Sequence, residues 1–383
     1  MKKDIKSRVE DKELFIYSLR HKEDKPLYSI DFLFRRTENG KLEWMMYSDG
    51  LRGGCFIGKD DLTLFDNIND FVEYRKELLS KVGLFYPYEI FETKPLLGIG
   101  EYYPNIYRPD FSSKLQNNHF IQDSQPFLDS FDDPYIYDKE EYGDYVRQLE
   151  IIINELNDVF KVIAPTEGNY KSYGNAIRNI IVLACTEIDS MMHNVLVRNE
   201  WCKEKDHLTM NHYRILNEAM RLNEYSISFN DYTQLGAFFP FKEWAVKGKS
   251  LTWYKAYNHV KHKRYENFAE ANLENAILSV MGLAIFLVAQ YGKENNIWKR
   301  KIGSYLSIKK QPLWKLEEYY IPFTTEVEPI KKNFPFSKKM DEKSEVQKKY
   351  LEVGKILKEQ KPKSDVVQAI DELKEIAESE YKA

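Results

Sequence analysis

The residues best able to do chemistry stand close together. Lys255, Asn258 and His262 lie in the string Trp253-Tyr254-Lys255-Ala256-Tyr257-Asn258-His259-Val260-Lys261-His262-Lys263-Arg264. On an ideal helix these three side chains fall within about 60° of one another. An amine, an amide and an imidazole on one face can bind a phosphate and shuttle a proton near neutral pH. Residues 251–264 carry four fixed positive charges, on Lys255, Lys261, Lys263 and Arg264, and no acid. His259 and His262 add two titratable rings, and Trp253, Tyr254 and Tyr257 interleave with the basic residues. Basic and aromatic residues mixed on a short helix suit contact with phosphate or RNA. The plainer reading is a solvated helix face on which Asn258 and His262 tie the helix to its neighbours by hydrogen bonds.

Such a helix needs a scaffold, and the pattern from about Asp138 onward predicts a four- or five-helix bundle. Residues 142–163 carry an amphipathic stripe of Tyr145, Leu149, Ile152, Ile153, Leu156 and Phe160, ended by Pro165 and Gly168. A second helix is expected over 173–201, with Ile177, Ile180, Ile181, Ala184, Ile188, Met191, Met192 and Val195 on its core face. A shorter one follows over 210–222, then loops to Ser250. A fourth helix begins near Leu251, and a fifth covers 268–291. The strongest apolar run, 280–289, is shorter than the roughly 20 residues of a membrane span and reads as a helix buried in protein.

Ahead of the bundle, residues 14–110 look β-rich, and the fold class expected is α+β. Residues 27–36 and 41–50 read as two strands joined by a hairpin at Thr37-Glu38-Asn39-Gly40, where Asn-Gly supplies positive φ. Residues 54–58 read as a third strand. Residues 68–82 have helical spacing through Phe71, Tyr74, Leu78 and Leu79. Residues 84–136, rich in Tyr, Pro and Phe, read as loops and short strands. Four prolines, Pro312, Pro322, Pro329 and Pro335, make 300–336 an extended arm over the bundle. Residues 337–383 hold 11 Lys and 11 acidic residues and suggest a charged tail of two helices, 341–359 and 364–381, broken by Pro362. The expected units are therefore 1–137, 138–299, 300–336 and 337–383.

Composition narrows the function classes. The 383 residues carry 56 Lys and Arg against 60 Asp and Glu, a net charge of −4, so any nucleic-acid site must be a local patch. The mean hydropathy of −0.57 argues against a membrane protein. The N-terminal MKKDIKSRVEDKELF lacks the apolar core of a secretory signal. Cys55, Cys185 and Cys202 are far apart and form no Cys-x-x-Cys pair. They suggest a reducing, cytoplasmic setting rather than a zinc or disulfide framework. No cofactor is indicated: the glycines at 50–54 and 98–100 follow no nucleotide-cradle spacing. His207 and His212, five apart beside Asp206, lack a third metal ligand. The acidic pairs Asp60-Asp61 and Asp132-Asp133 fit caps and turns.

The string W-x-x-x-Y-N-x-V-K-H-x-R at 253–264, followed by Phe268 and the apolar Ala271-Asn272-Leu273-Glu274-Asn275-Ala276, resembles the HEPN superfamily, named for nucleotide binding in higher eukaryotes and prokaryotes. The resemblance covers about residues 140–292, and its specific part is 253–283. It implies an α-helical bundle, commonly dimeric. It also implies metal-independent ribonuclease activity of the kind found in toxin–antitoxin, anti-phage and RNA-processing systems. The family motif is Arg, a polar residue, three residues, then His. Asn258 matches the polar residue and His262 the histidine, while Tyr257 stands at the arginine position. By that resemblance His262 is the acid–base group, Asn258 orients it or the phosphate, and a cation stabilises charge on the phosphorane. The candidate cations are Lys255, Lys261, Arg264 and Arg178, the last beside Asn179 on the second helix. Glu187, with Asp189 nearby, is a candidate supporting acid for the Lys/His helix. Implied partners are RNA, a second copy of the chain, and an antitoxin or other protein. The rival expectation is a non-catalytic dimerisation or partner-binding protein that has lost the motif arginine. A metabolic enzyme with its site in 84–136 has no chemical support in that segment.

Overall fold

The computed structural model describes residues 14–21, 30–36, 39–49, 64–80, 88–109, 138–262, 264–293, 296–321, 329–337 and Glu372. The chain is a mixed α and β protein. Its first part is a five-stranded sheet, every strand antiparallel to its neighbours, in the order β4-β3-β2-β1-β5. The strands are β1 Leu14–His21, β2 Ile30–Arg36, β3 Leu42–Asp49, β4 Leu64–Phe65 and β5 Tyr88–Thr93. Strands β2 and β3 are the expected hairpin pair, with Gly40 at φ 76° in the turn. The expected strand at 54–58 lies outside the described residues.

Side chains alternate between the faces of a sheet. In this sheet both faces are covered. Phe15, Tyr17, Phe32 and Phe34 share one face, against helix α1, Ile68–Ser80. Phe71 of α1 meets Phe32, Phe34 and Phe65 edge-on at centroid distances of 4.9, 4.9 and 5.2 Å. Ile16 and Leu33 share the other face and pack on Ile99 and Ile321. There the Ser18 hydroxyl donates to Asp31 at 2.6 Å, satisfying a polar pair that burial would otherwise penalise.

Helix α2, Lys139–Phe160, starts where Asp138 accepts hydrogen bonds from the Glu140 and Glu141 amides. Its buried face is the predicted stripe plus Tyr142, Val146 and Val159, with Tyr145 only half-buried. Helix α3, Asn175–Arg198, buries every one of its eight predicted core residues, and also Cys185 and Leu196. The single helix expected over 210–222 is two short ones, α4 Met210–Tyr213 and α5 Leu216–Met220, separated by tight turns. Arg221, left-handed at φ 49°, ends the second.

The stretch expected to loop as far as Ser250 contains strand β7, Ser226–Phe229. Helix α6 spans Thr252–His262, and the short helix α7, Arg264–Asn267, follows. Helix α8, Leu273–Tyr291, is apolar on all sides and nearly wholly buried, packed against α2, α3 and α6. Helices α3 and α8 are both long and apolar enough to cross a membrane. In the fold they are the centre of the helical core, and α3 carries Arg178, Glu187 and Asp189.

The proline-containing segment is more structured than an extended arm. After helix α9, Asn296–Lys301, strand β8, Leu306–Lys310, pairs with β7. Strand β9, Ile330–Lys331, pairs in parallel with β6, Glu101–Tyr102. Between β8 and β9, Ile321 bridges to Ile99 beneath the sheet, while the Tyr320 hydroxyl donates to Ile106 O at 2.7 Å. Residues 101–109 also lie on the helices: Tyr107 N donates to Ala289 O, and Asn105 to the Tyr291 hydroxyl. Apart from Ser337 and Glu372, the expected tail helices lie outside the described residues.

Candidate nucleic-acid interface

Helix α6 is fixed by its aromatic face. Trp253 is fully buried, its indole N–H donates to Pro240 O at 2.8 Å, and Phe241 and Tyr254 meet it edge-on. The ring lies against Gly282 of α8, where a Cβ would stand 3.1 Å from the nearest ring carbon. A residue without a side chain lets the two helices approach. Tyr254 reaches α3, where its hydroxyl donates to Asp189 at 2.5 Å. Burial raises the Asp189 pKa, while the Tyr254 hydrogen bond and the nearby Lys261 ammonium pull it down. The Tyr254 phenol is pushed up, chiefly by burial. Val260 completes the buried side.

Tyr257 is also part of this buried face, only 1% exposed. Its ring meets Tyr254 at 5.3 Å, and its hydroxyl accepts from Lys261 Nζ at 2.8 Å. The hydrogen bond that Lys261 donates to Tyr257 is the first cause of its raised pKa. Thus the side chain at the motif-arginine position points into the core and carries an ammonium at its outer end.

With Trp253, Tyr254, Ala256, Tyr257 and Val260 inside, the outer face presents Lys255, Asn258, Lys261 and His262, all exposed. Lys255, Asn258 and His262 share that face, as the helix spacing requires. His259 is half-exposed, and its Nδ1 lies 2.9 Å from both oxygens of Glu270. This pairing braces α6 against the 3-10 turn Phe268–Glu270.

Arg178 comes to the same place from α3. Its Nε donates to Val260 O at 3.4 Å, at the carboxyl end of α6, where carbonyls lack helical partners and attract cations. The approach is set by stitching between the segments that lead into α3 and α8. Gly174 N donates to Ala271 O, Leu273 N to Ser172 O and Glu274 N to Tyr170 O, while Tyr173 meets Phe268 edge-on at 5.7 Å. Among the described residues no carboxylate pairs with Arg178 or Lys255. Arg264 opens α7, and its side chain lies outside the described residues.

Glu187 is half-buried on α3 with a pKa raised by burial, and no described cation pairs with it. The acid that reaches α6 is Asp189, two residues on. Sequence reasoning missed Glu270, whose partner His259 sits on a different element; only an acid eleven residues after a histidine hinted at it.

Other candidate groups have structural roles. His212 Nδ1 accepts from Thr209 N at 2.9 Å and caps α4. Burial pushes the Cys185 thiol well up and the Cys202 thiol up to about 11, so neither is a ready nucleophile. Among the described residues no group of three His, Cys, Asp or Glu side chains gathers as a metal site. No protein-family model, curated protein or solved structure matches the chain.

Proposed function

We propose that this is a HEPN-like protein that binds RNA along the outer face of α6 and cleaves it by acid–base chemistry. The supporting observation is the exposed set Lys255, Asn258 and His262 on one helix face, joined at its carboxyl end by Arg178 from α3. In this reading the sheet with α1 is an N-terminal α+β domain for sensing or partner binding, and the bundle beyond residue 138 is the nuclease. His262 takes the proton from a ribose 2′-hydroxyl, whose oxygen attacks the adjacent phosphorus. The 5′-oxygen leaves with a proton from the same histidine of a second copy, giving a 2′,3′-cyclic phosphate and a 5′-hydroxyl. Asn258 orients the phosphate, and Arg178, Lys255 and Lys261 supply the positive charge that the phosphorane needs. A homodimer through the bundle, a toxin or phage-defence setting in the cytoplasm, and an antitoxin or other protein partner belong to the same reading.

One observation favours a second reading. Tyr257 is buried in the core where the motif would offer an arginine to the phosphate. A non-catalytic HEPN-like module that dimerises or binds a partner would need no such group.

The test is RNA cleavage by the purified chain in EDTA, beside His262→Ala. Cleavage by the parent with cyclic-phosphate ends, lowered about 10²–10⁴-fold in the variant, supports the ribonuclease. Equal or absent cleavage supports the binding module.

A further inference from the structure

The basic character of α6 extends backward into the loop before it. Residues 242–264 hold six lysines and Arg264 against a single acid, Glu243, a local excess of six positive charges in a chain whose net charge is −4. Lys247 and Lys249 are exposed, and among the described residues neither pairs with a carboxylate. They stand on a tight turn in which Lys249 N donates to Val246 O at 3.2 Å and Gly248 takes φ 81°, a value that favours glycine.

This loop is held from behind. The Arg214 guanidinium donates to Trp244 O at 3.3 Å, to Val246 O, and to Lys249 O at 3.5 Å. One half-buried guanidinium thus fixes the backbone through three carbonyls, and among the described residues the two lysine side chains have no carboxylate partner. The loop runs directly into α6, whose exposed Thr252, Lys255, Asn258 and His262 continue the line for about 15 Å. The acids that meet α6 or its flanks are Glu243, which accepts from the Thr252 hydroxyl at 3.5 Å, Glu270, already paired with His259, Glu266 on α7, and Asp189, which holds the Tyr254 hydroxyl on the inner side.

We infer that Lys247 and Lys249 form a second phosphate-binding subsite, and that single-stranded RNA lies along α6 with its backbone running from this turn to His262. The inference rests on the RNA-binding reading above and adds where the strand goes. A single strand fits because in-line attack by a 2′-oxygen needs a backbone free to leave A-form geometry. Exposed cations on the turn (Lys247, Lys249) and on α6 (Lys255), with no aromatic or amide placed for base edges among the described residues beside the turn, suit a phosphate backbone rather than base-edge readout.

The experiment measures anisotropy of a fluorescein-labelled single-stranded RNA with the full chain, in a His262→Ala background that prevents cleavage. Lys247→Ala/Lys249→Ala is compared with Lys203→Ala/Lys205→Ala, which removes two exposed lysines elsewhere. The turn double variant is expected to bind about tenfold more weakly near 0.1 M salt, and its plot of log affinity against log salt to be shallower by about 1.4, two phosphates' worth. The control pair should leave both unchanged. Parent-like affinity and slope in the turn variant would overturn the subsite while leaving RNA binding intact. Equal losses on duplex DNA or on phosphatidylserine vesicles would overturn the single-stranded assignment. Absence of RNA binding by the parent, even at low salt, would overturn the underlying reading and the subsite with it.

Discussion

Two groups of cations in this molecule are used in opposite ways. Around Trp314 the guanidiniums of Arg108 and Arg221 lie over the indole at 4.0 and 4.6 Å. Arg221 also gives 2.9 Å hydrogen bonds to both oxygens of Glu318 and to Leu313 O. Along α6, Lys255 has no carboxylate partner among the described residues, and Arg178 spends one N–H on a carbonyl at 3.4 Å. The first group ties the segment around 313–318 to the helices. The second leaves Lys255 exposed and Arg178 only lightly engaged. Under the proposed reading, what separates the two groups is the internal partner: the cations around Trp314 have one, and Lys255 has no carboxylate partner among the described residues.

The largest expected effect removes the support itself. Trp253→Ala empties a fully buried site and is expected to cost about 3–5 kcal/mol in denaturant unfolding. Loss of RNA binding in that variant would report unfolding of α6, so it calibrates the others. Next, Arg221→Ala breaks a partly buried ion pair, in which one guanidinium nitrogen serves both Glu318 oxygens, and a ring stack, at about 2–3 kcal/mol, and should leave RNA affinity unchanged. A loss of affinity there would erase the contrast between the two groups. Arg178→Ala should behave in the reverse way. Its single long hydrogen bond is worth at most about 1 kcal/mol, while cleavage should fall about a hundredfold. Unchanged cleavage would move Arg178 into the structural group.

The smallest effect concerns Asp189. Its folded pKa is raised by burial, so the folded state holds the proton more tightly than the unfolded chain does. The stability this gives is present in acid and lost as pH rises through the folded pKa. Asp189→Asn keeps an acceptor for Tyr254 and removes the titration. The melting temperature of the variant relative to the parent should therefore rise from about pH 4 to pH 7. A flat difference would show that Tyr254 and Lys261 fully offset the burial.

Much of the helical core was legible because burial writes itself into spacing. Ile177 to Val195 repeat at helical intervals, and every predicted core member of α3 is buried. The exposed trio on α6 was legible for the same reason, since Trp253, Tyr257 and Val260 define the opposite side. Strand β7 was not. Its four residues, Ser-Ile-Ser-Phe, are buried throughout and pair with β8 some eighty positions later, so neither alternation nor a nearby turn betrays them. The helix expected over 210–222 failed at its middle, where turns override an apolar pattern that Leu216 and Met220 still satisfy. Arg178 was legible as a cation on the right helix, but its carbonyl partner depends on how 170–174 meets 271–274. Arg214 carried no signal, because its partners are backbone oxygens thirty residues and more away.

The all-round apolarity of α8 has a consequence for synthesis. Its seats on α2, α3 and α6 all precede it in the chain. When residue 291 leaves the ribosome, the three helices that α8 packs on most closely have already been translated, and it can dock on them without waiting for a downstream helix. Strand β7 has no such advantage, because it must wait for residues 306–310. The more apolar of the two long core helices is thus made after the three helices it packs on, a birth order that shortens the time it spends exposed to membranes, chaperones and other nascent chains.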